Sequence, residues 1–276
     1  MTRFSVLLSL YAKEKPEFLN QALLSIFDQS LRADEVILVE DGPLTDELYA
    51  ILNQYKETYT EFKTIRLTQN MGLGKALNEG LKHCTYDIVA RMDTDDIAKP
   101  DRFEKQIKFL ENNPEYDLVG SWVDEFKGNI NNVLTIRKVP ESTKDIYEYC
   151  KSRCPVNHPT VIFKKQAVLQ AGGYLTEYFP EDYFLWIRML MNGSKFYNFQ
   201  ESLLYFRESD DTIKRRGGWK YAWNDIHIQK KFYNIGFISF RQFLGNCLIR
   251  CCVRIFPLKL RKFFYMNFLR KKAIHS

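Results

Sequence analysis

Histidine is scarce in this sequence and its cysteines are scattered, which argues against a zinc centre. The chain has four histidines and six cysteines among 276 residues, with no pair of C-x2-C motifs. A structural zinc site usually takes its ligands from such closely spaced residues. No apolar run reaches the ~18 residues of a membrane-spanning helix, and the apolar N-terminal run lacks the cleavage site of a signal peptide. We therefore expect a cytoplasmic protein with reduced thiols.

Acidic residues are missing after Asp225. Residues 1–225 contain 34 Asp and Glu against 29 Lys and Arg, whereas residues 226–276 contain 11 Lys and Arg and no acid. Between residues 237 and 272, cations alternate with apolar residues at roughly helical spacing, which is typical of an amphipathic helix on an anionic membrane surface. A helix that packs on the domain or forms an oligomer interface is the alternative. Nucleic acid is not expected as a partner, because the body is acidic and no nucleic-acid motif occurs.

The first half of the chain alternates strand and helix patterns. Strands are predicted over residues 4–10, 35–39, 62–67 and 87–92, and helices from Pro16 and over residues 45–59 and 74–84. This alternation predicts an α/β fold, with a mostly parallel sheet covered by helices on both faces. Ligands in such sheets bind beyond the carboxyl ends of the strands.

The second half has a less regular pattern. A helix at 100–110 is followed by predicted strands and helices, and helices are expected from about residue 211 onward. The predicted strands span 117–126, 133–139, 161–163, 196–199 and 203–207, and the predicted helices span 165–169 and 181–191. We expect a partly antiparallel half that shapes the second substrate's site. The predicted division is one domain over 1–210, with halves 1–100 and 101–210, and a helical basic extension over 211–276.

Three carboxylates stand at the end of the fourth predicted strand, in Asp93-Thr94-Asp95-Asp96. Unpaired anions are costly to bury, and a divalent cation such as Mg²⁺ or Mn²⁺ would compensate them while sharing ligands with phosphates. The alternative is a solvated acidic turn that caps the next helix. Tyr11, Asp41 and Asn70 follow the first three strands, so the four polar positions are expected at one sheet edge, although a turn and a helix cap would explain Asp41 and Asn70 singly.

Five short motifs follow one another along the chain. They are EDG at residues 40–42, NMGLGKALN at 70–78, RMDTDD at 91–96, GGY at 172–174 and EDYFLWIR at 181–188. In this order they resemble the inverting glycosyltransferases of family 2, which have the GT-A fold. The resemblance covers roughly residues 4–210. It implies a Rossmann-like sheet, a UDP-sugar donor and a divalent metal.

The resemblance also implies roles at the nucleotide-sugar site. Tyr11 and Ala12 would lie beside the base, and Asp41 would accept from the uracil N3–H. The segment that contains Asn70, Gly72 and Lys75 would line the ribose and the diphosphate. Asp93 and Asp95 would hold Mn²⁺ or Mg²⁺, with Asp95 the direct ligand, and Asp96 would orient the donor sugar. The metal would stabilise the departing diphosphate. Arg91 either pairs with the acidic motif or forms a structural salt bridge.

An inverting transfer needs a base for the acceptor hydroxyl. The resemblance favours Asp182 as this base, with Glu181 second, although two acids at a helix start are also ordinary caps. His158, Trp186, Arg207 and Arg215 are candidate acceptor contacts. Their alternatives are a capping or core histidine, a core tryptophan and a solvated basic loop. Relatives often carry an acid where this chain has Phe184, which concerns the acceptor pocket rather than the base.

The expected function is transfer of a hexose, galactose or glucose, from a UDP-sugar to an undecaprenyl-diphosphate-linked sugar in O-antigen, capsule or exopolysaccharide assembly. The enzyme would act as a peripheral protein at the inner face of the bacterial cytoplasmic membrane. Two alternatives remain open from the residues. One is a phosphohydrolase that uses Asp93 as nucleophile, and the other is a non-catalytic scaffold that binds nucleotide sugars.

Overall fold

The first four strands form the parallel part of one sheet. The computed structural model describes residues 2–176, 180–208 and 218–255, together with the backbone of residues 271 and 272. Its first strands are β1 (Phe4–Leu10), β2 (Glu35–Glu40), β3 (Phe62–Arg66) and β4 (Ile88–Arg91). They lie in the order β3-β2-β1-β4 and all pair in parallel. The prediction of a parallel sheet from the first half is confirmed.

Helices cover both faces of this sheet. The connecting helices are α1 (Pro16–Phe27), α2 (Asp46–Thr58) and α3 (Leu73–His83). Apolar side chains of α1 and α2 pack in one core with alternate residues of β1, and those of α3 pack in a second core on the opposite face. Strands β1 and β2 therefore bury side chains on both faces, which explains their nearly continuous apolar sequences, whereas β3 at the edge is partly exposed.

The second half adds antiparallel pairs to the same sheet. Its elements are β5 (Ile97–Ala98), α4 (Arg102–Asn112), β6 (Leu118–Phe126), β7 (Val133–Arg137), α5 (Thr143–Cys150), β8 (Ile162–Lys164), α6 (Lys165–Gln170), α7 (Glu181–Met191) and β9 (Phe196–Arg207). Strand β8 lies antiparallel between β4 and β6, and β7 lies antiparallel to β6. Strand β9 pairs in parallel with β6 and antiparallel with β5. The predicted mixed character of this half is confirmed.

Three local predictions differ from the structure. The two strands expected at 196–199 and 203–207 are one strand, β9, whose register against β6 shifts near Trp122. Strand β5 was missed because two residues carry no periodic pattern. Helix α5 was also missed, although Ser142 caps it by accepting from the amide of Asp145 at 3.2 Å, and Ile146 and Cys150 are buried at helical spacing.

Two helices follow the sheet and pack against its α7 side. They are α8 (Trp219–Asn234) and α9 (Phe240–Ile255). Ile228 and Phe232 of α8 lie in the same core as α3 and α7. The buried Asp225 accepts from Arg250 at 3.0 Å and from Arg254 at 2.7 Å, which ties α9 to α8. The division of the chain at residue 211 stays a prediction.

The helical prediction for the C-terminal extension is correct for α8 and α9 and wrong at its end. Residues Lys271–Lys272 form a short strand, β10, which pairs antiparallel with β7. Within the part of the chain that the structure describes, no helix is both long and apolar enough to cross a membrane.

Helix α3 lies very close to the sheet because it carries Gly80. A methyl group at this position would overlap Cδ1 of Leu7 and lie 2.8 Å from Cγ2 of Val39. Both neighbours are fully buried in β1 and β2, so neither can swing aside. The absence of a side chain at position 80 therefore sets the height of α3, and with it the height of residues 70–78, above the sheet.

We predict opposite effects of the same substitution at two helical glycines. Gly80→Ala should lower the free energy of unfolding, because overpacking costs about 1–3 kcal/mol and exceeds the helix-propensity gain of about 1 kcal/mol. Gly245→Ala in α9 has no neighbour within 4 Å of its new methyl group and should stabilise the protein by about 0.5–1 kcal/mol. Denaturant titration measures both. A stabilising Gly80→Ala would contradict the close packing of α3.

Candidate active site

The three aspartates of the acidic motif come together at the carboxyl end of β4. One carboxylate oxygen from each of Asp93, Asp95 and Asp96 lies within 4.8 Å of the others. Asp96 is fully buried, and its Oδ1 accepts from the amide of Arg207 at 2.9 Å. Its Oδ2 is buried without a hydrogen-bond partner among the described residues. A set of hard oxygen ligands with one unused buried oxygen fits a divalent cation.

Burial and mutual repulsion disfavour negative charge on this cluster. Burial, followed by the charges of Asp93 and Glu14, raises the pKa of Asp95 to about 7. Burial and the two neighbouring aspartates raise the pKa of Asp96 well above its usual range. Glu14 accepts from the hydroxyl of Thr94 at 2.9 Å, and burial raises its pKa as well. A bound cation would remove this penalty, and the burial of Asp96 favours the metal-site interpretation over a solvated turn.

Three arginines lie behind the acidic motif. Arg91 is fully buried and forms an ion pair with Asp93 through both terminal nitrogens, one of them at 2.9 Å. Arg102 of α4 donates to the carbonyl of Arg91 at 2.8 Å, and burial lowers its pKa to about 9. Arg207 donates from Nε to the carbonyl of Asp95 at 2.8 Å. The structure thus supports pairing of Arg91 with the motif.

The side chain of Arg207 is buried and does not extend into solvent. It is 7% exposed, its Nη2 donates to Gln21 at 2.6 Å, and its guanidinium lies 4.0 Å from the ring centre of Phe18. These contacts make it part of the support of the acidic motif, and its predicted contact with the acceptor stays untested. Arg102 was missed by sequence analysis. Its signal was a charged residue at a buried position of α4, next to Phe103.

Asp41 holds the segment expected to bind the diphosphate. Its Oδ1 accepts from the amide of Met71 at 2.6 Å and its Oδ2 from the amide of Gly72 at 3.0 Å. The carboxylate keeps free lone pairs, so a further donor such as an imide can still bind it. Around it, the predicted nucleotide contacts that follow β1 and β3 are exposed: Tyr11, Ala12, Asn70 and Lys75.

The predicted base lies in the first turn of α7. This helix begins at Glu181, directly after Pro180, and its N-terminal dipole favours carboxylates there. Burial, followed by the charges of Asp182 and Asp93, raises the pKa of Glu181. Asp182 is partly exposed, with its Oδ2 4.0 Å from the thiol of Cys154. The first turn of α7 is therefore close enough to the acidic motif for their charges to interact.

The remaining acceptor candidates are placed differently. His158 is 8% exposed, its Nε2 lies 3.0 Å from the hydroxyl of Tyr174, and burial together with Arg91 lowers its pKa well below the usual range. Trp186 is fully buried with its ring against His158, so it has no surface for an acceptor in this conformation, as the core interpretation expects. Arg215 lies outside the described residues.

Phe184 of α7 is covered by α8. The Phe184 ring packs on the ring of Phe232 of α8 at 6.1 Å between centres. The guanidinium of Arg188 lies 4.8 Å from the centre of the Phe184 ring. Phe184 is 2% exposed. A carboxylate at this position would be buried against Phe232, so the packing of α8 favours an apolar side chain here.

Known proteins resemble this chain over nearly its whole length. The model of "Glycosyl transferase family 2" matches residues 5–169, and that of "Glycosyl transferase family group 2" matches residues 88–274. The chain is 42% identical to the UDP-Gal:alpha-D-GlcNAc-diphosphoundecaprenol beta-1,3-galactosyltransferase of Escherichia coli, covering 98% of this chain and 97% of that protein. It is 40% identical to the amylovoran biosynthesis glycosyltransferase AmsE of Erwinia amylovora, covering 95% and 97%.

Solved structures share the fold at low sequence identity. TarS residues 1–349 of S. aureus in complex with UDP-GlcNAc superposes with a TM-score of 0.66 at 18% identity, covering 96% of this chain and 75% of that one. The mannosyltransferase PcManGT of Pyrobaculum calidifontis, in complex with GDP-Man and Mn²⁺, gives a TM-score of 0.62 at 18% identity, covering 90% and 69%. The GT-A fold expected from the sequence is thereby confirmed, and the chain belongs to glycosyl transferase family 2.

Proposed function

We propose that this glycosyltransferase is metal-dependent and inverting. It transfers galactose from UDP-galactose to an N-acetylglucosamine carried on undecaprenyl diphosphate, forming a β linkage, with glucose as the alternative sugar. The observation that carries the proposal is the cluster of Asp93, Asp95 and Asp96 beside the first turn of α7. The 42% identity to the galactosyltransferase of Escherichia coli supports the choice of donor and acceptor.

Asp95 and Asp93 are the proposed ligands of the cation, Mn²⁺ or Mg²⁺. When bound, the cation supplies charge that stabilises the leaving diphosphate. Asp96, fixed by the amide of Arg207, would orient the donor sugar. The uridine lies against Tyr11, Ala12 and Asp41. Residues 70–75, which include Lys75, contact the ribose and diphosphate. In this arrangement the leaving group is bound at the carboxyl edge of the sheet, as α/β sheets usually bind ligands.

Asp182 is the proposed base. It accepts the proton of the acceptor hydroxyl while the oxygen attacks the anomeric carbon from the face opposite the diphosphate. We prefer it to Glu181 because the Cγ of Glu181 packs near Gly74 of the donor segment, and Asp182 is itself partly exposed. His158, neutral and bonded to Tyr174, borders this region and contacts the acceptor only if a side chain moves.

We also propose that the enzyme works on the cytoplasmic side of a membrane and binds its surface through α8 and α9. Their outward side chains are apolar and aromatic, each between 42% and 76% exposed: Trp219, Trp223, Tyr233, Phe240, Leu244, Leu248 and Ile249. Lys220, Lys230 and Arg241 lie among them, and no acid follows Asp225 in the sequence. Aromatic anchors with cations suit an anionic bilayer surface, where the lipid-linked acceptor resides.

Removing one metal ligand should abolish metal-dependent nucleotide binding. We expect Asp95→Asn to weaken UDP binding in Mn²⁺ to the level seen in EDTA, and to lower kcat roughly 10²–10³-fold, as loss of transition-state charge stabilisation does. Calorimetry with UDP, with and without Mn²⁺, measures the first effect. The control is Asp28→Asn, which removes an exposed acid outside the cluster. Unchanged Mn²⁺-dependent binding in Asp95→Asn would contradict the ligand assignment.

Removing the base should affect turnover without affecting the donor. We expect Asp182→Asn to lower kcat roughly 10²–10⁴-fold, the usual contribution of a general base, with UDP affinity unchanged. Glu181→Gln should lose less activity. UDP release with UDP-galactose and a lipid-diphosphate-linked N-acetylglucosamine measures both. If Glu181→Gln shows the larger loss, the base is Glu181, and if neither variant loses activity, the chain is not acting as the proposed transferase.

Charge on the outer face of α9 should release the enzyme from membranes. We expect Leu244→Glu with Leu248→Glu to weaken binding to phosphatidylglycerol-containing vesicles by roughly tenfold or more per residue, from lost apolar burial and added repulsion. Vesicle sedimentation measures the binding. Leu24→Glu, at a 53% exposed leucine on α1, is the matched control and should bind as the parent protein does. If the parent protein, the double variant and Leu24→Glu all bind the vesicles equally, the proposal that α8 and α9 bind the membrane is wrong.

A further inference from the structure

One side chain of the donor segment pairs with the backbone of a turn that lies far away in the sequence. Asn78 of α3 accepts from the amide of Tyr174 through Oδ1 at 2.8 Å and donates through Nδ2 to the carbonyl of Tyr174 at 2.7 Å. Both bonds need an amide, which alone among short side chains offers a donor and an acceptor side by side. We call this pair of bonds the Asn78–Tyr174 clasp.

The turn of the clasp is also bound by the helix that carries the proposed base. Arg188 of α7 donates to the carbonyls of Ala171 and Gly173, the latter at 2.6 Å. Gly173 has a φ of 64°, and a methyl group there would lie 2.7 Å from Oδ1 of Asn78. A side chain at this position is therefore excluded both by backbone conformation and by the close approach of Asn78.

The same turn lies between the three parts of the active site. A methyl group on Gly74 of α3 would lie 2.9 Å from Cγ2 of Thr176 and 3.3 Å from Cγ of Glu181, so the donor segment touches the start of α7. The hydroxyl of Tyr174 bonds to His158, and the charges of Arg91 and Asp182 reach this hydroxyl. A displacement of the turn would therefore move the base relative to both the donor segment and the acidic motif.

We propose that Asn78 is a positioning residue that fixes the first turn of α7 relative to the bound nucleotide sugar. It touches neither substrate. Through the clasp it sets the distance between the base and the anomeric carbon, and it transmits ordering of residues 70–78 to the turn at 171–174. The proposal rests on the proposed function, since it takes residues 70–78 as the donor segment and Asp182 as the base.

The test compares Asn78→Leu, which keeps the volume, and Asn78→Ala, which adds no bulk, with Gln29→Leu. Gln29 is a matched control because its amide also bonds the backbone of another segment, donating to Lys99 O at 2.7 Å and accepting from Phe103 N at 3.1 Å. We measure UDP affinity with Mn²⁺, kcat for transfer, hydrolysis of the UDP-sugar without acceptor, and amide hydrogen exchange of residues 171–176.

Both Asn78 variants should keep UDP affinity within about twofold and lose roughly 10²-fold in transfer kcat, the effect of misplacing a reacting group by about 1 Å. Hydrolysis by water, which needs no positioned acceptor, should fall less. UDP with Mn²⁺ should slow exchange at 171–176 in the parent protein and in Gln29→Leu, and in neither Asn78 variant. A change in thermal stability alone, with transfer unchanged, would overturn the proposal.

Two further outcomes separate this proposal from the proposed function. If UDP affinity falls in proportion to transfer in the Asn78 variants, Asn78 serves donor binding, and the positioning role is wrong. If the parent protein transfers no sugar to any acceptor, the proposed function fails, but the exchange experiment still decides the clasp. Equal protection of residues 171–176 by UDP in the parent protein and in Asn78→Leu would then overturn it.

Discussion

The crowding of three aspartates, one of them fully buried, at one edge of the sheet is the constraint on which the rest of the site depends. Carboxylates that lose water must gain positive charge or hydrogen bonds, or else take up protons. Here the compensation comes from Arg91 at the end of β4 and Arg102 at the start of α4, which flank the motif, and from Arg207 of β9, which is distant in sequence. The acidic motif therefore forms only when these elements have assembled, and its remaining negative charge is available to a cation.

This constraint also explains how the two halves of the chain are joined. Strand β9 ends at the residue whose amide binds Asp96, and β5, directly after the motif, pairs with β9. The parallel half contributes the nucleotide edge, because its strands end there together. The mixed half contributes Arg102 and Arg207 behind the motif, the turn at 171–174 and the first turn of α7. The groups that we propose to be catalytic are thus fixed by pairing between halves and not by a separate hinge or linker in the described chain.

The parts of this arrangement that depend on local pattern could be predicted from the sequence. Strands β1 and β2 are apolar because both faces are buried, and polar residues after the four strands mark one sheet edge, so the fold was predicted correctly, while the role of the acidic motif stays a prediction. Contacts at long range could not be predicted. Arg207 gives no local sign that it supports residues 91–96, and Asn78 gives none that it binds a turn 96 residues away. The basic residues that follow Arg207 favour a contact with the acceptor, whereas its burial beneath the motif is a property of the assembled sheet.

The position of α8 gives the membrane proposal a geometric consequence. Phe232 of α8 packs on Tyr183 at 4.9 Å between ring centres and on Phe184 at 6.1 Å, and these residues directly follow Asp182. The buried faces of α8 and α7 are thus in contact, while the opposite face of α8 and α9 carries the exposed tryptophans and leucines. A bilayer on that outer face would lie about one helix diameter, roughly 10 Å, from the helix that carries the base. A diphosphate at the lipid surface would hold its first sugar within that distance, so the acceptor could reach Asp182 without leaving the membrane. The acidic body would be held away from the anionic lipids by its own charge.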